Sequence, residues 1–162
     1  MSSANLKYDD YKTANIHHSH DHILPTLLKI IKTKQPKTII ELGCGNGRVA
    51  NKLSKNHKVV ALDGSESCVK YALENFPSVT FHIDSVYSDL SKKYGKYDCV
   101  VSLEVIEHLY DPRTFIRNCL NLMVDSGSLI LSTQYNGYLK NLVLAAFAKW
   151  TTTLAHCRTV AI

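Results

Sequence analysis

Short apolar runs and amphipathic segments alternate along this chain, and their order predicts its fold. The runs are rich in β-branched and other apolar residues, which is typical of strands buried on both faces. The segments between them repeat apolar residues every three to four positions, which is typical of helices that cover a sheet. Five strands are predicted, at 38–41, 58–63, 79–83, 97–103 and 128–133. A turn is predicted at 125–127, before the fifth strand.

This alternation of strands and helices predicts an α/β domain with a doubly wound, mostly parallel sheet and helices on both faces. Right-handed crossovers would place the ligand crevice at the carboxyl ends of the strands. Gly43, Asp63, Asp84 and Leu103 all fall at predicted strand ends. The sequence therefore predicts that these residues meet at one edge of the sheet.

The first strand ends in the run Glu41-Leu42-Gly43-Cys44-Gly45-Asn46-Gly47, and a helical segment follows. A strand, a glycine turn and a helix together bring backbone N–H groups and a helix N-terminus to a ligand. A dinucleotide fingerprint would need a small residue where Arg48 stands, and an ordinary glycine turn is the other alternative. The pattern E-x-G-x-G-x-G closely resembles motif I of class I S-adenosylmethionine (SAM) methyltransferases.

This resemblance implies that SAM is the cofactor and that the glycine loop runs under its methionine and ribose parts. Glu41 would either fix the loop or contact the amino group of the cofactor's methionine part. Asp63 would accept hydrogen bonds from the ribose hydroxyls, unless it caps the next helix, a role that Ser65 can fill itself. Asp84 would face the adenine amino group, or else cap a helix at 86–90. The predicted cofactor contacts are Glu41, Gly43, Cys44, Gly45, Asn46, Gly47, Asp63, Gly64, Ser65, Asp84, Ser85, Ser102, Leu103 and Glu104.

The segment after the fourth strand, Glu104-Val105-Ile106-Glu107-His108-Leu109-Tyr110-Asp111-Pro112, resembles motif IV of methyltransferases related to ubiquinone biosynthesis. There the strand end lines the methyl-transfer site. Histidine can change charge near neutral pH, so His108 is the predicted catalytic base for an acceptor hydroxyl. The run E-x-x-E-H also resembles the metal-binding run of small-RNA 2′-O-methyltransferases. An acid-capped helix start fits it as well, so both a metal and the role of Glu107 stay open.

The segments at the two ends of the chain are predicted to lie outside the SAM-binding core. Residues 1–36 form an N-terminal arm and a lid helix, with 17–22 as lid residues or, alternatively, a metal cluster or a solvated helix entry. Residues 37–134 form the SAM-binding core. Residues 135–150 form an apolar helix, similar to a segment of ubiquinone-type O-methyltransferases, that covers the acceptor pocket or touches a membrane through 138–150.

Residues 151–162 form an atypical tail. Three threonines stand where the preceding helix needs a cap, and the apolar positions follow no clear period. We expect no sixth or seventh strand, and hence a truncated domain whose tail comes from a shifted reading frame. The unpaired sheet edge that results would favour aggregation.

Composition narrows the function classes. The 162 residues suit one domain, and the net charge of +5 is too modest and dispersed to predict a nucleic-acid groove. The five cysteines form no C-x-x-C pair, which favours reduced thiols and a cytoplasmic protein. The resemblance implies transfer of the sulfonium methyl to a hydroxyl oxygen of a small, ubiquinone-precursor-like acceptor. A non-catalytic SAM-binding remnant is the alternative, and an NAD-dependent oxidoreductase, disfavoured by Arg48, is a further one.

Overall fold

The computed structural model of the protein describes residues 22–135 and 156–161. Helices and strands alternate through most of this part of the chain, with a single 3₁₀ turn at Ile106–His108. The elements are α1 (Leu24–Lys34), β1 (Thr38–Leu42), α2 (Arg48–Ser54), β2 (Lys58–Asp63), α3 (Glu66–Asn75), β3 (Thr80–Ile83), α4 (Leu90–Tyr94), β4 (Tyr97–Leu103), α5 (Pro112–Asn121), β5 (Met123–Tyr135) and β6 (His156–Ala161).

The strands form one sheet in the order β3-β2-β1-β4-β5-β6. The first five strands are parallel, and β1 lies at the centre, where Ile40 pairs with Val60 on one side and Val100 on the other. The sixth strand runs antiparallel to β5. The predicted α/β class, with a doubly wound and mostly parallel sheet, is confirmed.

Successive residues of β1 face opposite sides of the sheet, and both sides are buried. Ile39 packs into the core under α1, α2 and α3, while Ile40 packs into the core under α4 and α5. Leu27 of α1 and Phe115 of α5 anchor these two layers and have no exposed surface. Because both faces of the sheet are covered, no polar alternation is possible along its central strands.

Two helix starts have the residues that helix N-termini require. The Ser65 hydroxyl accepts a hydrogen bond from the Cys68 N–H at 3.4 Å, so Ser65 caps α3 as its sequence position predicts. Asp111 caps α5 through the Thr114 N–H at 3.0 Å, and Pro112 occupies the first turn.

Three local predictions are wrong. The expected turn at 125–127 lies inside β5, where the pairing shifts so that β5 advances by five residues while β4 advances by two. The extra residues are absorbed as a bulge in the strand. The expected helix at 86–90 is a turn, and α4 starts only at Leu90. Tyr135 ends β5 instead of starting a helix, and the rest of the predicted apolar helix lies outside the described residues.

The prediction that no sixth strand follows is also wrong. His156–Ala161 pairs with β5 from Ile130 to Tyr135. The tail has no apolar period, but its threonine and valine are residues that favour strands, and the unpaired edge of β5 offers them a partner. The reason given for aggregation, an open edge along this part of β5, therefore does not apply.

Of the segments outside the sheet, residues 17–21 of the predicted lid lie outside the described part of the chain, and His22 is an exposed turn residue. No helix within 22–135 or 156–161 has the length and apolarity needed to cross a bilayer. The cysteines at 44, 68, 99 and 119 are buried free thiols.

Candidate functional site

The candidate site lies at the carboxyl ends of the parallel strands, where the strand order reverses between β1 and β4. A crevice forms at such a point because the helices that follow the two strands lie on opposite faces. The loop after β1 and the loop after β4 meet there. The Val105 side chain covers the Cα of Gly43 so closely that a methyl group on Gly43 would overlap it.

Hydrogen bonds from the end of β2 hold the glycine loop. The Leu62 carbonyl accepts the N–H groups of Gly43 and Cys44 at 2.8 and 2.9 Å. The Asp63 carboxylate accepts the Gly45 N–H at 2.8 Å. Gly43, Gly45 and Gly47 have φ values of +74°, +50° and +77°, which side chains rarely tolerate. The glycines are therefore required by the path of the loop.

The three glycines differ in what surrounds them. A methyl group on Gly47 would come within 2.8 Å of both Phe81 and Ala72, so this glycine allows α2 to pack closely. A methyl group on Gly45 would meet no atom of residues 22–135 or 156–161 within 4 Å. Within this part of the chain Gly45 therefore presents bare backbone to open space, which is the surface that a ligand approaching the loop would meet.

Asp63 stands beside this open backbone. Its Oδ2 accepts the Gly45 N–H and its Oδ1 accepts the Ser65 N–H, both at 2.8 Å. A carboxylate oxygen has two lone pairs, so within the described part of the chain each oxygen retains one position for a further donor. The residue thus fixes the loop and still offers a negatively charged acceptor next to it.

Glu41 and Asn46, two predicted contacts, are turned toward the protein. Glu41 is 2% exposed, and its carboxyl group accepts a hydrogen bond from the Ala50 backbone N–H. It therefore supports the first turn of α2. Burial, with a further contribution from the Asp63 charge, raises the pKa of Glu41 to about 8. The Asn46 side chain accepts a hydrogen bond from the Arg48 N–H at 3.3 Å, at the start of α2. The alternative that the acid fixes the loop agrees with these contacts.

The other loop residues have mixed surroundings. Cys44 is buried against the loop, where burial and the nearby carboxylates of Glu41 and Asp63 raise the pKa of its thiol. Gly64 is exposed between Asp63 and the cap of α3, and its Cα faces the Asp84 carbonyl.

Asp84 and Ser85 follow β3, on the far side of β2 from the glycine loop. The Asp84 N–H donates to the Asp63 carbonyl at 3.1 Å, so the ends of β2 and β3 are joined. The Asp84 carboxylate itself accepts hydrogen bonds from its own segment, including one from the Ser85 N–H at 2.8 Å. Its predicted contact with an adenine amino group stays a prediction.

Three residues at the end of β4 were predicted to contact the cofactor, and only the third, Glu104, is not buried. The Ser102 hydroxyl donates to the Leu42 carbonyl at 2.8 Å, and Ser102 and Leu103 are 1% and 2% exposed. If these two residues contact the cofactor as predicted, the contact has to come from their backbone atoms. Glu104 is partly exposed and has a φ of +56°, a conformation that few residues other than glycine adopt.

Two hydroxyls of β5 hold the carboxylates of the loop after β4. The Ser132 hydroxyl donates to Glu104 Oε1 at 3.0 Å and accepts the Glu104 N–H at 3.2 Å. The Thr133 hydroxyl donates to Glu107 Oε2 at 3.2 Å. Sequence reasoning missed both hydroxyls, as well as Val105, although Ser132 was visible as a polar residue at the end of a predicted strand.

His108 ends the 3₁₀ turn in the loop after β4 and is exposed. Within the described parts of the chain, no three carboxylate, imidazole or thiol side chains are grouped so that they could hold a metal ion. The metal-binding interpretation of the E-x-x-E-H run therefore gains no support from these residues, and the proton-accepting role of His108 stays a prediction.

A family model described as a methyltransferase domain matches residues 14–160. The ubiquinone biosynthesis O-methyltransferase of Coxiella burnetii is 30% identical over 135 residues, which cover 77% of this chain and 58% of that protein. The enzyme of the same name from Caulobacter vibrioides is 32% identical over 113 residues, covering 67% of this chain and 44% of that protein.

Among solved structures, the methyltransferase domain of a bacterial Hen1 protein superposes with a TM-score of 0.65 at 22% identity, covering 78% of this chain and 72% of that one. This likeness concerns the fold alone. The chain spans 58% of the length of the Coxiella relative that it matches.

Proposed function

This chain belongs to the class I S-adenosylmethionine-dependent methyltransferases, and we propose that it transfers a methyl group from that cofactor to a hydroxyl oxygen of a small molecule. The observation that carries the proposal is the open backbone of Gly45 beside the Asp63 carboxylate. The names of the related ubiquinone O-methyltransferases support a phenolic, ubiquinone-precursor-like acceptor. Buried free thiols at four cysteines support a cytoplasmic location as part of the same proposal.

The residues of the crevice suit this cofactor. The lone pairs left on Asp63 are acceptors for a pair of ribose hydroxyls, which are donors. Bare backbone at Gly45 allows a bulky ligand to lie directly on the loop. Gly43, in contrast, is covered by Val105, so the ligand would contact the loop on the side of Gly45.

When bound, the cofactor supplies an activated methyl group on a sulfonium, so the chain has to position the reactants and exclude water. Glu104, fixed by Ser132, lines the end of β4 where the two loops meet. His108, exposed in the loop after β4, would accept the proton of the acceptor hydroxyl. A base positioned beside the hydroxyl takes up its proton as the oxygen attacks the methyl group, so positive charge does not build up on that oxygen and the rate rises.

Calorimetric titration of the protein with S-adenosylhomocysteine and with NAD tests the cofactor, and a methyl-transfer assay with catechol-type phenols tests the reaction. We expect binding of S-adenosylhomocysteine only. Asp63→Ala should weaken that binding by roughly 1–3 kcal/mol, since the hydroxyl pair loses its charged acceptor. Binding without any transfer to a panel of hydroxyl acceptors would favour the non-catalytic alternative.

Asp98→Ala is the matched control. Like Asp63, Asp98 accepts backbone hydrogen bonds, but it lies at the opposite edge of the sheet. Its three bonds come from the Lys37 N–H and from the N–H and hydroxyl of Thr38. Its loss should lower stability and leave cofactor affinity unchanged. Equal loss of affinity in both variants would mean that Asp63 acts through the fold, and would remove it from the proposed site.

A further inference from the structure

The Asp84 carboxylate is saturated with hydrogen bonds from its own segment. Its Oδ1 accepts the Ser85 N–H at 2.8 Å and the Ser88 hydroxyl at 2.7 Å. Its Oδ2 accepts the Lys93 ammonium at 2.8 Å and the Tyr94 hydroxyl at 2.9 Å. An ionised carboxylate has about four lone-pair positions, and here all are used. The side chain is only 8% exposed, so it presents little surface to a ligand.

These donors come from both ends of one segment, residues 84–94. Ser85 and Ser88 close the turn that follows β3, and Lys93 and Tyr94 belong to α4. Asp84 therefore ties α4 back to the end of β3. Burial acts against the charge, but the bonds from Lys93, Ser88, Tyr94 and Ser85 lower the pKa of Asp84 to about 2, so the carboxylate is ionised.

Other contacts hold the same segment in place. The Asn118 amide donates to the Val86 and Ser88 carbonyls at 2.8 and 3.0 Å. The Tyr87 hydroxyl accepts the Asp111 N–H at 3.3 Å. The segment is thus fastened to α5 and to the loop after β4, so turning the Asp84 carboxylate outward would break contacts at the centre of a fixed structure.

We propose that Asp84 is a positioning residue that folds the segment 84–94, and that its carboxylate does not read the 6-amino group of the cofactor's adenine. The inference rests on the proposed SAM-binding function. A neutral amino N–H would have to displace a donor from Asp84, and the ammonium of Lys93 makes a stronger bond than a neutral amine does. At the same strand end, the Ile83 side chain is 54% exposed and pairs in register with Asp63. It offers the base an apolar contact that is indifferent to the amino group.

The test is a double-mutant cycle between protein and ligand. S-adenosylhomocysteine and its analogue with hydrogen in place of the 6-amino group are titrated into the wild-type protein and into Asp84→Asn. The affinity ratio of the two ligands is measured in each protein. We expect the ratio in Asp84→Asn to lie within about two-fold of the ratio in the wild type, since uncoupled groups act additively. A ratio that collapses by about ten-fold in Asp84→Asn would overturn the inference, because it would show direct coupling of more than 1 kcal/mol.

The stability of the segment supplies a readout that needs no ligand. Asp84→Asn should lower the melting temperature by several degrees and speed hydrogen exchange in 85–94, whereas a purely ligand-binding carboxylate would leave both unchanged. Asp89→Asn is the matched control in the same segment. Asp89 makes an exposed ion pair with Lys92, and such pairs add little. If Asp84→Asn behaves like this control, the inference fails.

Tyr94→Phe covers the case in which Asp84→Asn does not fold. It removes one donor and leaves a lone pair of Asp84 open. We expect a smaller loss of stability and faster hydrogen exchange in 85–94, and wild-type values of both would overturn the inference. Failure of the wild-type protein to bind S-adenosylhomocysteine would refute the proposed function instead, and the exchange experiment would then decide the role of Asp84 alone.

Discussion

Replacing Glu41 by glutamine should change how stability depends on pH. Glu41 lies in the central strand with 2% of its surface exposed, and its Oε2 has no hydrogen-bond partner within the described parts of the chain. Burial, reinforced by the Asp63 charge and opposed by the Ala50 N–H, raises its pKa from 4.5 to about 8. The folded protein therefore keeps a proton on Glu41 at neutral pH.

The sign of the effect follows from linkage. Between pH 4.5 and about 8 the unfolded chain has released this proton while the folded protein retains it. Raising the pH through this window therefore lowers the free energy of unfolding. With about 1.4 kcal/mol for each pKa unit, the loss has an upper limit of about 5 kcal/mol for this shift. Relaxation around the ionised group would reduce that figure.

Urea unfolding of the ligand-free protein at a series of pH values from 5 to about 8.5 measures the effect, with the window set by linkage. Wild-type stability should fall across it relative to Glu41→Gln, which keeps the shape of the side chain but cannot ionise. Glu66→Gln, at an exposed position in the first turn of α3, is the control and should follow the wild type. Parallel curves for the wild type and Glu41→Gln would refute the reasoning, because Glu41 would then ionise equally in both states.

Three further predictions concern single contacts. Gly43→Ala should destabilise the fold by about 1–3 kcal/mol more than Gly45→Ala, because both glycines have positive φ but only a methyl group on Gly43 would overlap Val105. In unfolding experiments, adding Val105→Ala to Gly43→Ala should restore part of the lost stability. If it restores none, the strain lies elsewhere. His108→Ala should lower turnover by about 10²–10⁴-fold while calorimetry finds cofactor affinity unchanged; equal losses in both would indicate a structural role. Hydrogen bonds to the Asp98 carboxyl lower its pKa, so it stabilises the fold above its unfolded pKa and this contribution is lost as pH falls. Acid unfolding of Asp98→Ala should start from lower stability and change less with pH, and an unchanged curve would contradict this.

The sequence predicted best the elements that are determined locally. Strands β2 and β4 have the predicted bounds because their apolar residues form one run that the two cores require. The start of β5 and all of β6 were missed because they depend on which edge is free and how registers match, and a single segment carries no such information. The predicted helix after β3 failed because Asp84, Ser85 and Ser88 form a turn among themselves.

The same division applies to the candidate site. The positions of Gly43, Asp63 and Glu104 at strand ends follow from the order of the elements. The orientation of the neighbouring side chains does not follow from that order. Ser102 and Leu103 were predicted at the cofactor, yet their side chains pack inward, while Val105 two residues on covers the glycine loop. Long-range partners decide this, and only the structure reveals them.

The hold of β2 on the glycine loop has a consequence for protein engineering. Leu62 and Asp63 accept the N–H groups of Gly43, Cys44 and Gly45, so the loop takes its shape from the strand beside it. If the glycine run alone were transplanted into another scaffold, its backbone would still be free to adopt positive φ values. It would lack the acceptors at the end of β2 that hold the loop in this conformation. The smallest portable unit is the glycine run together with the end of β2, in the register that pairs Leu42 with Leu62.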